Sequence, residues 1–364
     1  MLLWCLLSAL PFTIHSQNVN KQLFPKQTSI PRMEINLPMV NGFIILKGDF
    51  HIHTVFSDGM LWPTMRVQEA WETGLDVLSI TDHIEYPNTM LKDTNLNASY
   101  DLALPHAKEC GILLVRGAEI TRQQGVIGHF NALFIKDANR LKIKDPEAAL
   151  QEALDQEAFV VLNHPGWNVD TCVITEFQAG LLKRKMIHGV EVFGVYREYY
   201  PRALSWSKDL DLTVMANSDM HDLIYTDFGQ GDGKTPYRPM TLIFAREKSL
   251  EAVKEALFSK RTLACFDGQM AGREDLLKAF FSACVKISYV SGIKDMVVYN
   301  LTNSCDFPFS VRIGEKVYEI YPQGSTNVHI GKNIHQVEMV VENMHHYEFS
   351  HPTITMQLPS GNSQ

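Results

Sequence analysis

Between Gly42 and Arg261, short β-branched runs alternate with stretches whose apolar residues recur at helical spacing, and this alternation constrains the fold more than any other feature of the chain. Strands are predicted at 43–46 leading into 49–53, and at 77–81, 112–115, 129–135, 159–162, 190–193, 212–216 and 241–244. Helices are predicted at 63–73, 147–157, 175–185, 201–209 and 250–260. Asp145-Pro146 offers a capping carboxylate and a proline for a first turn, and Gly74 suits a helix end. Strands alternating with helices imply parallel strands joined by crossovers, and seven or eight such units suggest a βα barrel rather than an open sheet, although the pattern alone does not decide between them. The pattern changes after about Cys284. Six short runs, at 285–289, 296–301, 309–313, 317–321, 336–341 and 353–358, are separated by turn residues and show no helical spacing. They predict a small antiparallel, sandwich-like β domain. The expected division is a signal peptide at 1–17, an extension at 18–41, a barrel at 42–284 and the β domain at 285–364.

Length and charge bound what such a chain can do. Its 364 residues, 45% of them hydrophobic, suffice for one large core and a smaller one. A net charge of −8 lacks the basic footprint of a nucleic-acid binder, so no duplex binding is expected. A phosphorylated small molecule is still admissible, because bound metal ions supply positive charge locally. The apolar run from Leu2 to Leu10, followed by small and polar residues up to Gln17, resembles a secretory signal. It is too short to span a bilayer as an ordinary helix, and no later segment resembles a membrane span. The expectation is an exported chain, periplasmic or secreted in a bacterium. Of six cysteines, Cys5 lies in the signal. Cys110, Cys172, Cys265, Cys284 and Cys305 are odd in number, widely spaced and without a CxxC, so they read as buried thiols.

The residues that carry chemistry sit at the ends of the predicted strands, where the loops of a βα barrel converge. His51 and His53 alternate along a strand and so share a face, with Asp58 and Gly59 in the following turn. Asp82-His83 ends the next strand, and Glu119 ends another. His129 enters a strand after Gly128, and Asn163-His164-Pro165 leaves one. Asp219 and His221 repeat the alternating geometry after the strand at 212–216. Each motif alone is weak, and any of these residues could serve as a cap or a loop polar group. Together they place six of fourteen histidines at the strand ends of one barrel. Mixed imidazole and carboxylate ligands suit zinc, manganese or iron better than calcium or magnesium. Nine candidates exceed the needs of one tetrahedral ion and suit two or three divalent ions sharing carboxylates.

The order HxH…D, TDH, GxE, GHF, NHP and SDxH resembles the PHP family, named for polymerase and histidinol phosphatase. The resemblance covers roughly 46–271. It implies a distorted, TIM-like (β/α)7 barrel that binds up to three metal ions and hydrolyses phosphoesters. It assigns His51, His53, Asp58, His83, Glu119, His129, His164, Asp219 and His221 as metal ligands, with Asp58 where members carry His or Asp. Architecture and the stretch from Arg261 to Gly268 also resemble two-domain envelope members, in which a small β domain follows the barrel. The expected chemistry is attack by a metal-bound hydroxide on a phosphate mono- or diester, with Asp58 and Asp219 as supporting groups.

Other roles are expected from position. Asp82 and Asn163 are placed to orient their neighbouring histidines, or to cap loops. Arg197, Arg116 and Tyr196 are the expected substrate contacts, since an Arg beside aromatics can hold a phosphate and stack on its organic partner. Trp167 is placed to line the mouth or pack at its rim. His345, His346 and His351 lie outside the barrel and are expected to be exposed. Two competing readings are an amidohydrolase-like C–N or ester hydrolase and a glycan-binding envelope protein with structural metals. The absence of a lysine at a strand end counts against the first. In either case the β domain is the expected contact for a glycan or protein partner.

Overall fold

In the computed structural model, which describes residues 31–91, 94–194, 197–228 and 238–360, several helix ends follow from single residues. The signal-like segment and Tyr196 lie outside the described residues. The chain runs through β1 (Ile44–Asp49), α1 (Pro63–Glu72), β2 (Val77–Ile80), α2 (Ala98–Cys110), β3 (Leu113–Thr121), β4 (His129–Leu133), α3 (Pro146–Asp155), β5 (Phe159–Leu162), α4 (Glu176–Lys183) and β6 (Gly189–Gly194). It continues through β7 (Glu198–Tyr199), α5 (Pro201–Asp209), β8 (Thr213–Ala216), α6 (Ile224–Phe228), β9 (Met240–Ala245), α7 (Leu250–Phe258), β10 (Thr262–Phe266), β11 (Gln269–Gly272) and α8 (Glu274–Cys284). The strands β12 (Val285–Ile293), β13 (Met296–Asn303), β14 (Phe309–Ile313), β15 (Lys316–Ile320), β16 (Ser325–Gly331), β17 (Gln336–Val341), β18 (Met344–His345) and β19 (Thr353–Gln357) follow. The Asp145 carboxylate accepts from Ala148 N to start α3, Ser249 caps α7 through Ala252 N, and Thr175 with Gln178 forms a capping box on α4. Gly111, at φ +69°, ends α2. Pro105 inside α2 reads in sequence as a breaker, and α8 runs into β12 with no turn residue between them, so neither helix is apparent from the pattern alone.

The fold is mixed α/β, built on one curled sheet of twelve strands with two smaller sheets beside it. Strands β5, β6, β8 and β9 are buried at every residue, as expected of strands covered on both faces. Parallel pairing joins β1–β2–β3 and β5–β6–β8. The uniformly parallel expectation is corrected elsewhere. Strand β4 is antiparallel to both β3 and β5, and β9 is antiparallel to β1 and β10. The short 122–128 segment between β3 and β4 explains the first reversal, because a parallel return needs a crossover of a dozen or more residues. Threonine side chains bridge β8 to β9 and β10. Thr241 Oγ1 accepts from Ala216 N at 3.0 Å and donates to Ala216 O at 2.9 Å, and Thr262 Oγ1 donates to Val214 O at 2.6 Å.

Beyond α8, antiparallel sheets β12–β13–β16 and β15–β14–β17–β19 share one apolar core, to which Tyr299, Leu301 and Val328 contribute from the first and Val311, Met339 and Val341 from the second. Strand β16 goes beyond the sequence reading, because only Val328 and Ile330 of its seven residues turn inward as apolar groups. Strand β18 instead joins the large sheet, parallel to β11. Phe280 and Phe281 of α8 pack on Phe309, so apolar packing is continuous across residue 284. His345 is buried here, with its ring 5.1 Å from that of Tyr199, which corrects its expected exposure.

Candidate metal centre

Strand alternation builds the first part of the site. At and just past the end of β1, Asp49, His51 and His53 alternate with Phe50 and Ile52, which enter the apolar core. Asp49 is buried, paired with the buried Arg238, and accepts from Ser218 N at 3.1 Å. This ties the end of β1 to the loop after β8. That loop carries Asp219 and His221. His164 and Asp219 adopt positive φ, +24° and +50°, a left-handed backbone that non-glycine residues hold only where the surroundings enforce it.

The structure brings all nine expected ligands together. Asp219 Oδ1 lies 3.0 Å from both His51 Nε2 and His53 Nε2. Glu119, fully buried, lies 2.8 Å from His83 Nδ1 and 3.2 Å from His129 Nδ1, and 3.8 Å from His164 Nε2. Asp58 Oδ1 is 3.4 Å from His221 Nε2, and its Oδ2 is 3.4 Å from His83 Nε2. Ligand atoms lie within 4.8 Å of one another in three groups: His53, Asp58, His83 and His221; His51, His53 and Asp219; His51, Glu119 and His164. His129 stands outside these groups and meets them through Glu119.

The donor set fits divalent cations. His51 Nε2, both ring nitrogens of His53, Glu119 Oε2 and Asp219 Oδ1 are buried and make no hydrogen bond, although several lie within 3.6 Å of one another. Buried polar atoms without partners are costly, and so many aimed into one space are explained by ligation. The electrostatics agree. Burial alone would depress His51 and His83, but the Asp219, Glu191 and Glu119 charges raise His51, and Glu119 and Asp58 raise His83 to about 10. His53 is pushed down to about 4 by burial and by His83. Burial raises the carboxyls of Asp219 and Glu119, yet the surrounding imidazoles hold both well below the usual range. The centre thus gathers ionised carboxylates against imidazoles.

Further residues hold the ligands in place. Glu191, buried in β6, puts Oε1 3.0 Å from His51 Nδ1 and accepts from His164 N and from Asn217 Nδ2. Its sequence signal is a single carboxylate in the otherwise apolar run Gly189–Gly194. Thr121 Oγ1 lies 2.6 Å from His83 Nδ1. The buried guanidinium of Arg66 donates to the carbonyls of His53, Met220, His221 and Asp222, bracing both ligand loops, and pairs with Glu69 at 2.8 Å. A Cβ on Gly59 would lie 2.6 Å from the His53 carbonyl carbon, so close approach dictates glycine there.

Several expectations need correction. Arg116 does not reach the centre: it pairs with Asp101 at 2.9 Å and lies over the Tyr100 ring, because its side chain leaves β3 on the side facing α2. Arg197 is likewise engaged away from it, with Asp267 and over the Phe266 ring. Of the two roles expected for Asp82, the bonds are those of loop capping. Asp82 accepts from Thr54 N, Thr54 Oγ1 and Ser57 Oγ and so shapes the loop between His53 and Asp58. Asn163 supports Glu119 rather than His164, donating to Glu119 Oε1 at 2.9 Å. Trp167 does stand at the mouth, with its ring 5.3 Å from that of His164. The cavity over the centre measures about 1030 Å³, and Tyr86, Arg122, Gln123, Gln124, Lys142 and Lys144 also line it.

No family model matches the sequence. A solved two-domain protein of Bacteroides vulgatus, containing a predicted PHP-like metal-dependent phosphoesterase, is 38% identical to this chain. The alignment covers 91% of this chain and 100% of that one, with a TM-score of 0.85. The chain belongs to the PHP family. Among curated proteins, a 5′-3′ exoribonuclease of Haemophilus influenzae is 41% identical over 75 residues. That match takes in 21% of this PHP chain and 23% of the length of the curated relative.

Proposed function

We propose that this PHP chain is a metal-dependent phosphoesterase acting on a small organic phosphate mono- or diester. The observation that carries the reading is the convergence of buried histidine and carboxylate atoms, without hydrogen-bond partners, at the floor of an open cavity. An open mouth suits a site that exchanges substrate, whereas a structural ion is usually closed off by protein ligands. His51, His53, Asp58, His83, Glu119, His129, His164, Asp219 and His221 would hold two or three divalent ions, with zinc, manganese and iron matching the donor chemistry. Ions bound there supply an acidified water near neutral pH and offset charge on phosphate oxygens. The chain's own part is positioning. Glu191 and Thr121 fix the rings of His51 and His83, and Arg66 holds the His53 and His221 loops in register. Asp58, half exposed at the mouth, and the largely enclosed Asp219 are the supporting carboxylates, both kept ionised by neighbouring imidazoles. In this reading the curled sheet is a distorted (β/α)7 barrel, with its strand ends delivering the ligands.

The test is hydrolysis of p-nitrophenyl phosphate and bis-p-nitrophenyl phosphate by protein loaded with zinc, manganese or iron. Release of p-nitrophenol that a chelator abolishes is the expected result. No release from a panel of mono- and diesters with any of these metals would overturn the reading.

A further inference from the structure

The cavity is far roomier than one phosphate group requires, and its walls carry charges of both signs. Asp58, Glu119 and Asp219 line it beside the histidines, and Glu85, Arg122, Lys142 and Lys144 also line it. Arg122 donates to Thr121 O at 2.8 Å and to Ile143 O at 2.9 Å, so the segment bearing both lysines is fastened to the strand that carries Glu119. Thr121 in turn meets His83. The nearby carboxylates are already engaged. Glu85 pairs with Arg122 and accepts from Thr121 N, and Asp145 caps α3. Lys142 and Lys144 are exposed to the cavity and make no ion pair among the described residues. Two ammonium groups without counter-charges, beside a site suited to phosphate, form a locus for a further anion.

We infer that Lys142 and Lys144 form a second anion subsite, so that the natural substrate carries another anionic group besides the scissile phosphate. The inference deepens the phosphoesterase reading and rests on it for the first group. Lysines on flexible stems act as point charges, so the subsite selects for charge and reach rather than for a bidentate shape. Because both are exposed, the selection weakens as salt rises.

The test is calorimetric binding of butane- and hexane-α,ω-bisphosphonate to the metal-loaded full chain, against butyl- and hexylphosphonate. Phosphonates carry a C–P bond that phosphoesterase chemistry leaves intact, so binding is read without turnover. At least one bisphosphonate is expected to bind roughly tenfold more tightly than its monophosphonate at low salt, beyond the twofold statistical factor. Lys142→Ala/Lys144→Ala should abolish that margin, as should Lys142→Gln/Lys144→Gln. Lys294→Ala, an exposed site in the β12–β13 turn, should retain it. No margin at either chain length, or a margin that survives in both double variants, would overturn the subsite. Failure of the phosphoesterase reading looks different: phosphonates bind, yet no ester is cleaved.

Discussion

Glu191 Oε1 lies 3.0 Å from His51 Nδ1, and Oε2 of the same carboxylate accepts from His164 N at 2.6 Å. One buried acid on β6 therefore sets the orientation of two proposed ligands that are more than a hundred residues apart. Glu191→Gln keeps the shape and removes the charge. It should lower metal affinity or activity by roughly 10–100-fold with the fold retained, as read by metal analysis, turnover and circular dichroism. Unchanged metal content and turnover would show that Glu191 is a packing residue only.

His51→Ala and Asp219→Ala each remove a group shared by the buried cluster. Bound metal and phosphoesterase activity should fall together, measured by elemental analysis on protein purified without added metal. Normal metal content in both variants would show that other residues hold the ions. Chelation of wild type should also lower the melting temperature, and reloading to a hundredfold excess over Kd should restore about 2.7 kcal/mol.

Arg66 is buried and bonds four carbonyls of the two ligand loops. Arg66→Ala takes the guanidinium from the His53 and Asp222 carbonyls and from Glu69 Oε2, while the Met220 and His221 carbonyls and Glu69 Oε1 keep the backbone donors His53 N, Met60 N and Ile224 N. The expected loss is about 3–5 kcal/mol in urea unfolding, and Arg66→Lys should not restore it because an ammonium cannot span the fork. A loss below about 1 kcal/mol would mean that water substitutes for the guanidinium.

His188 lies away from the centre, and its Nδ1 accepts from Val160 N at 2.9 Å. Burial, with Lys260 nearby, lowers it to about 4 from its usual 6.5. A depressed histidine stabilises the fold fully above the unfolded value. That contribution is lost as pH falls from about 6.5 toward about 4, because the unfolded chain takes up the proton first. The unfolding free energy of wild type, read from urea melts, should drop across this window by up to ~3 kcal/mol more than that of His188→Gln. Parallel pH profiles would show that the buried imidazole titrates normally.

The nine proposed ligands were legible because each lies in a short motif at a strand end, where alternation alone gives two side chains a common direction, as with His51 and His53. Glu191, Arg66 and Arg238 were not, because a lone charge in an apolar run or on a helix carries no local mark of its partner. Their partners lie 140, 13 and 189 residues away in sequence. Arg116 stood beside the motif of Glu119 and Arg197 beside aromatics after a strand, yet Arg116 is held by Asp101 and Arg197 by Asp267.

The sequence by itself determined the alternation of strands and helices, the change to short strands after Cys284 and the set of histidines and carboxylates at the strand ends, since all three are local patterns of residue type. Only the tertiary structure decided that β4 and β9 run antiparallel, that the nine side chains meet over one floor, and that Lys142 and Lys144 line the same cavity. These depend on how distant segments pack. Packing is set by the summed burial of one shared core, which no single stretch of sequence reports.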